Sequence, residues 1–201
     1  GEHEQQDVAD AVQENLPAGL VMLDISPAED KDALVVTAET AEKHDLNSIS
    51  DLQGVAENMV IGGPPELTKR ADGLPGLKQI YGLKFKEFRS LDAGGPLTVG
   101  ALEGGDIDIA RMFTTQGIIK AKGWVVLEDD KDLVPAQNIV PVIRADAVND
   151  DARAALNATS AALATDDLQE LNRRVGVDEK APDAVAAEWV ENSGLAGGDE
   201  Q

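Results

Sequence analysis

Residues 59–66 read Met-Val-Ile-Gly-Gly-Pro-Pro-Glu, a pattern that indicates an α/β fold. Its first three residues are an apolar run of strand length, and the Gly-Gly-Pro-Pro run that follows ends the strand. The glycines allow close backbone approach, and the prolines suit a rigid turn into a helix. A strand that leads through such a turn into a helix is a building unit of α/β folds.

The same alternation continues along most of the chain. Strands alternate with helices up to residue 143, and the pattern is helical only from residue 146 onward, which predicts an α/β fold with a mostly parallel sheet. Thr37, Ser50 and Thr165 are predicted helix caps, and residues 197–201 are predicted to be disordered. The predicted strands cover residues 20–23, 33–36, 59–61, 85–88, 124–127 and 139–143, and residues 106–110 alternate acidic and apolar residues as they enter the sheet. The predicted helices cover residues 8–16, 38–44, 74–81, 97–102, 146–163, 166–175 and 182–192.

Two apolar segments suggest how the chain is divided. Residues 33–36 and 139–143 bracket a self-contained βα region of about 100 residues, a plausible size for a domain. We therefore predict a middle lobe of residues 37–138, inserted into a second lobe built from residues 1–36 and 139–201.

Composition excludes several classes of function. The chain has 17 basic and 38 acidic residues, a net charge of −21, which disfavours binding to nucleic acid or anionic lipid. It has no cysteine, which excludes disulfides and thiol catalysis, and its two histidines leave little material for a histidine metal site. No run approaches the roughly 18 apolar residues that would suggest a membrane span. No signal peptide is recognised, because Gly1 opens directly onto a polar stretch.

Catalytic motifs are missing as well. There is no Gly-x-Ser-x-Gly elbow and no Gly-Lys-Ser/Thr phosphate loop. Residues 3–7 match a zinc-protease helix only until Asp7, where a second histidine is needed. The acidic run of residues 128–132 lacks EF-hand spacing and is interpreted as a solvated loop. We expect a protein that is not an enzyme and has no metal site and no cofactor.

Two loops are candidates for ligand binding, because ligands of open α/β sheets gather at the carboxyl ends of strands. The first is residues 62–66 with Arg70, which could hold a carboxylate through two hydrogen bonds; the alternative is a rigid turn with a solvated Arg70. In the second, Phe113 could face a cation while Thr114 and Thr115 donate hydrogen bonds; the alternative is a core residue followed by a helix cap.

Seven stretches together, in order and spacing, resemble the glycine betaine/carnitine/choline-binding proteins of ABC importers. This resemblance implies a type II periplasmic-binding-protein-like fold that closes by hinge motion, with one complete βα lobe and a second lobe that lacks its N-terminal part. The matching stretches are residues 61–66, 71–77, 81–88, 105–110, 113–120, 126–131 and 168–172.

The resemblance also implies a function and a location. It predicts an extracytoplasmic solute-binding component, periplasmic or lipid-anchored, that delivers a small quaternary-amine or polar osmolyte from an interlobe cleft to a membrane permease and ATPase. A sensory ligand-binding module on the same fold is the alternative, since fold does not fix function.

The expected ligand pocket departs from the family pattern. Family members hold a trimethylammonium head in a tyrosine cage, but Asp32 and Gln137 stand at two cage positions here, and only Phe113 keeps an aromatic near a third. Arg70 matches the family's carboxylate-binding arginine. We therefore expect a polar pocket that binds glycine betaine weakly or not at all and prefers a more polar solute. The predicted ligand-binding residues are Asp32, Gly63, Pro64, Arg70, Phe113, Thr114, Thr115, Gln137 and Asn138.

Overall fold

The computed structural model describes residues 2–195, and the chain forms two units. Unit 1 combines Gly1–Lys31 with Pro135–Gln201, whereas unit 2 is the uninterrupted stretch Asp32–Val134. The predicted divisions, after residues 36 and 138, lie a few residues later than these. The reason is that residues 32–36 form a strand of the unit 2 sheet, while Asn138 forms a β-bridge with Glu29 in unit 1.

Strands and helices alternate through unit 2, and helices dominate the second segment of unit 1. The strands are β1 (Leu20–Met22), β2 (Asp32–Val36), β3 (Val60–Gly63), β4 (Glu87–Ser90), β5 (Ile109–Phe113), β6 (Val125–Leu127) and β7 (Val142–Arg144). The α-helices are α1 (Glu2–Asn15), α2 (Ala38–His44), α3 (Leu74–Tyr81), α4 (Pro96–Glu103), α5 (Gly117–Lys122), α6 (Asp150–Ala162), α7 (Thr165–Gly176) and α8 (Pro182–Asn192). The predictions for α3 and α8 are confirmed, whereas β4 and β7 begin later than predicted. The predicted tail at residues 197–201 lies outside the described residues.

The helix caps follow short side-chain patterns. Thr37 caps α2 as predicted, because its hydroxyl accepts the Thr40 N–H at 3.1 Å. The capping box predicted at Ser50 is wrong. Ser48 and Asp51 form it instead, at the start of a short 3-10 helix, and the Asp51 carboxylate accepts the Ser48 N–H at 2.7 Å.

The unit 2 sheet has the strand order β4-β3-β5-β2-β6. β3 is parallel to both β4 and β5, as strand–helix–strand crossovers require. β2 is antiparallel to β5 and to β6, so it alone runs against the other four strands. Four of the five strands share one direction, and the exception to the predicted mostly parallel sheet is β2, which lies between β5 and β6. This strand enters the sheet before the first crossover and is not constrained by one.

Helices cover both faces of this sheet. Leu34 and Val36 of β2 point into one core layer with Leu77 of α3, whereas Val35 points into the other layer with Leu102 of α4. All five side chains are buried. A strand buried on both faces has no polar face, which is why β2 reads as a continuous apolar run after its first residue.

Unit 1 contains the antiparallel pair β1–β7, in which Leu20 lies opposite Arg144. Buried Ser26 ties the first segment to the second, because its hydroxyl donates to the Leu163 carbonyl at 2.8 Å. Thr165 is not the cap of α7, contrary to prediction; Ala164 occupies that position, and the Thr165 hydroxyl accepts the Glu29 N–H at 3.0 Å. Within residues 2–195, no helix combines the length and the apolar character needed to cross a bilayer.

Candidate functional site

Three predicted site residues meet at one edge of the unit 2 sheet. β3 and β5 end at this edge, with Gly63 and Phe113 as their last residues, and the antiparallel β2 begins there with Asp32. Asp32 lies directly opposite Phe113 in the β2–β5 register. This edge is where open α/β sheets hold ligands, because the carboxyl ends of neighbouring strands leave a crevice there.

The turn after β3 is closely packed against β5. A Cβ atom on Gly63 would lie 2.9 Å from the Cβ of Arg111, so the position needs glycine. Pro64 precedes the 3-10 helix Pro65–Thr68, and its carbonyl accepts the Leu67 N–H at 3.0 Å. The helix start predicted here is thus a single short 3-10 turn that positions Arg70.

Arg70 already holds a carboxylate of its own chain. Its Nε and Nη2 donate to the two Asp72 carboxylate oxygens at 3.0 and 2.8 Å, and Nη2 also lies 3.2 Å from Oδ2 of Asp32. The hydrogen bonds that Arg70 donates to Asp72, together with the charges of Asp72 and Asp32, raise the pKa of Arg70. The Arg70 side chain remains 49% exposed, so part of the guanidinium faces solvent.

Arg111, which sequence reasoning missed, completes the group. Its side chain is only 4% exposed; Nε lies 3.2 Å from Oδ1 of Asp32, and Nη2 lies 3.2 Å from Oδ2 of Asp72. Nη1 donates to the Asp72 carbonyl at 3.3 Å. Nε has ion-pair distance but no hydrogen-bond geometry toward Asp32. Asp32, Arg70, Asp72 and Arg111 are called the charge cluster below; its formal charge is zero.

The position of Arg111 in the sequence could have indicated that it is a buried, paired arginine. It stands in the middle of β5, whose other residues are apolar, and an arginine is seldom buried unless carboxylates pair with it. Asp72 carried a weaker signal, since it lies in an ordinary polar turn.

The loop after β5 is fixed by Gln116. Its side-chain oxygen accepts the Phe113 N–H at 3.3 Å, while its amide nitrogen donates to the Gly94 carbonyl at 2.9 Å. Phe113 and Thr114 are partly buried, and Thr115 is buried. Phe113 is therefore only partly covered at this edge of the sheet.

Gln137 and Asn138 belong to unit 1. The Gln137 carbonyl accepts the Asp30 N–H at 3.0 Å, and the Asn138 side chain donates to the Ser26 carbonyl at 3.0 Å. Both line a cavity of about 90 Å³ within unit 1, beside Val12 of α1. Their backbone is thus fixed by the first segment of that unit.

The acidic run of residues 128–132 is not simply solvated, contrary to prediction. Asp129 accepts the hydroxyl hydrogen of Tyr81 at 2.5 Å and the Val134 N–H at 2.7 Å. The Tyr81 hydroxyl in turn accepts the Lys131 N–H at 2.8 Å. Burial, followed by the hydrogen bond to Asp129, raises the pKa of Tyr81 above its ordinary value.

Comparison of the chain with solved structures shows its fold class. The chain matches a crystal structure of a glycine betaine/carnitine/choline ABC transporter with a TM-score of 0.85 and 26% identity, over 94% of this chain and 71% of that one. The fold is therefore that of the periplasmic-binding-protein-like α/β proteins.

The family follows from the sequence match. The family model for the substrate binding domain of ABC-type glycine betaine transport systems matches residues 4–192, and the chain belongs to this family. A glycine-betaine-binding protein of Pseudomonas aeruginosa is 31% identical over 86% of this chain and 59% of its own length. An ergothioneine transport permease/ergothioneine binding protein of Helicobacter pylori is 28% identical over 81% of this chain and 30% of its own. The chain thus spans less than two thirds of these relatives.

Proposed function

We propose that the protein is the extracytoplasmic solute-binding component of an ABC importer and captures a small quaternary-amine or related polar osmolyte. The observation that carries this proposal is the family match across residues 4–192. The position of the charge cluster and Phe113 at the carboxyl edge of the unit 2 sheet supports it, since this is where such sheets bind ligands.

Each proposed ligand contact has a distinct chemical role. The half-exposed guanidinium of Arg70 binds a polar or anionic group of the solute, because its Nη1 has no hydrogen-bond partner among the described residues. The Phe113 ring contacts a cationic head. Gly63 and Pro64 form the adjoining backbone wall, with Thr114 and Thr115 beside it. Asp32 contributes charge, and the amides of Gln137 and Asn138, assigned from the resemblance alone, supply further hydrogen bonds.

The proposed partner is a membrane permease with its ATPase, and the protein then works outside the cytoplasm, either free in a periplasm or held by a lipid anchor. The transport proteins among the relatives favour this function over a sensory module. Deletion of the gene in its natural host, followed by measurement of solute uptake, tests the importer role. Unchanged uptake of every solute that the purified protein binds would contradict it.

Calorimetric titration of the full chain tests solute binding directly. The solutes are glycine betaine, choline, carnitine, ergothioneine and a polar primary amine. We expect binding of at least one of them, with glycine betaine among the weak ones. Arg70→Gln should weaken the best solute at least about tenfold, while Arg89→Gln, which removes an exposed arginine of β4, should not. Absence of binding by all five solutes would refute the proposed ligand class.

A further inference from the structure

The positive and negative charges of the charge cluster neutralise each other without a solute. The Asp32 carboxylate reaches both arginines, with Oδ2 at 3.2 Å from Arg70 and Oδ1 at 3.2 Å from Arg111. Asp72 also pairs with both arginines, at 2.8 and 3.2 Å. Each arginine therefore has two carboxylates before any ligand arrives, and the positive charge that would attract a third carboxylate is already neutralised.

We propose that Asp32 is a specificity-determining residue that acts as a built-in counter-ion of Arg70 and selects against solutes that carry a carboxylate. This inference rests on the proposed function and narrows its solute class. The preferred solute is a cation whose other end is an uncharged hydrogen-bonding group, such as a hydroxyl or an amide, that can accept from Arg70.

Asp32 cannot easily withdraw to make room for a solute carboxylate. Its side chain is 10% exposed, it begins a strand that is paired on both sides, and its second oxygen is held by the buried Arg111. A solute carboxylate on the free edge of Arg70 would therefore lie within several Å of the Asp32 charge. In a partly buried site, repulsion over such a distance weakens binding by about tenfold or more.

A matched pair of solutes isolates this effect. Choline and glycine betaine share a trimethylammonium head and differ in a hydroxyl against a carboxylate, so the ratio of their Kd values reports the preference for the carboxylate. In Asp32→Asn, which keeps the side-chain size and removes the charge, we expect the ratio Kd(betaine)/Kd(choline) to fall at least about tenfold. Asp32→Glu, which keeps the charge, should leave the ratio closer to that of the wild type.

Asp106→Asn is the control variant, because it removes the same charge from an exposed ion pair with Arg89 in the same unit. The ratio should not change in this variant. A ratio that is unchanged in Asp32→Asn, or that falls equally in the control, would overturn the inference while leaving the proposed function intact.

A second measurement needs no variant and so does not depend on the folding of Asp32→Asn. The wild-type chain should bind the carboxamide of glycine betaine at least about tenfold more tightly than glycine betaine itself. Equal affinity for the two would overturn the inference. Failure of wild type and variant to bind any of the three solutes would refute the proposed trimethylammonium ligand class and the inference with it.

Discussion

Removal of Arg111 should destabilise unit 2 more than removal of any exposed arginine. Arg111→Met keeps most of the side-chain volume but removes the buried guanidinium that pairs with Asp32 and Asp72, and the arginine that remains in the cluster, Arg70, is half exposed. At an effective dielectric constant of about 20, each 3.2 Å pair is worth about 5 kcal/mol of attraction, much of which offsets desolvation. Loss of one partner of a buried pair costs about 3–5 kcal/mol of unfolding free energy.

Urea unfolding followed by tryptophan fluorescence measures this cost. The chain has two tryptophans, Trp124 in unit 2 and Trp189 in α8 of unit 1, so a Trp189→Phe background lets Trp124 report unit 2 alone. With a slope of about 2 kcal/mol/M, the expected loss lowers the urea midpoint by roughly 1.5–2.5 M. Arg89→Met, whose ion pairs are exposed, should leave the midpoint unchanged.

The double variant Arg111→Met/Asp32→Asn separates the proposed cause from simple loss of packing. If an uncompensated buried carboxylate is responsible, removal of the Asp32 charge should restore about 1–3 kcal/mol relative to Arg111→Met. The reasoning is refuted if Arg111→Met stays within about 1 kcal/mol of the wild type, or if the second substitution only adds to the loss.

Two further predictions concern the backbone turn and the buried tyrosine. Gly63→Ala forces its new methyl group against Arg111 and should lower the unfolding free energy by about 1–3 kcal/mol. The control is Gly100→Ala in α4, whose methyl group meets nothing within 4 Å and should raise the unfolding free energy by up to about 1 kcal/mol in the same urea assay. Equal effects of the two substitutions would contradict this packing argument. Tyr81 is the only tyrosine, so absorbance near 295 nm at about pH 11 should show no tyrosinate in the folded protein but about nine-tenths ionisation in urea. Because folding raises the pKa of Tyr81, the protonated hydroxyl stabilises the folded protein fully below about pH 10, and this stabilisation falls as the pH rises above that value. Tyr81→Phe should remove this pH-dependent fall in stability. Tyrosinate formation in the folded protein near pH 10 would contradict the prediction.

The sequence was informative about local structure and less so about strand direction. Thr37 and the glycine- and proline-bounded helix α3 could be predicted because caps and helix ends depend on neighbouring residues. The reversed direction of β2 could not, because it depends on pairing with β5 and β6, about 80–90 residues further along the chain. Two serines spaced by two residues also made the Ser48 and Ser50 caps indistinguishable by pattern.

The meeting of the candidate residues at one sheet edge could be predicted, but the contacts among their side chains could not. Strand ends followed by glycine or threonine turns indicated the edge at which Gly63 and Phe113 lie. The double hydrogen bond expected between Arg70 and a ligand carboxylate is instead made with Asp72, two residues away. Spacing alone cannot show which carboxylate reaches a guanidinium first, since that depends on the turn that joins them.

The interrupted construction of unit 1 has a consequence for folding during synthesis. β1 pairs with β7, whose residues emerge from the ribosome more than a hundred positions later, whereas unit 2 is uninterrupted and has its own core. At about 5–20 residues per second, the N-terminal segment waits on the order of ten seconds for its partner strand. Unit 2 can fold during this time. The apolar residues of the N-terminal segment stay unpaired throughout the delay, and this is the period in which binding by a chaperone would most reduce aggregation.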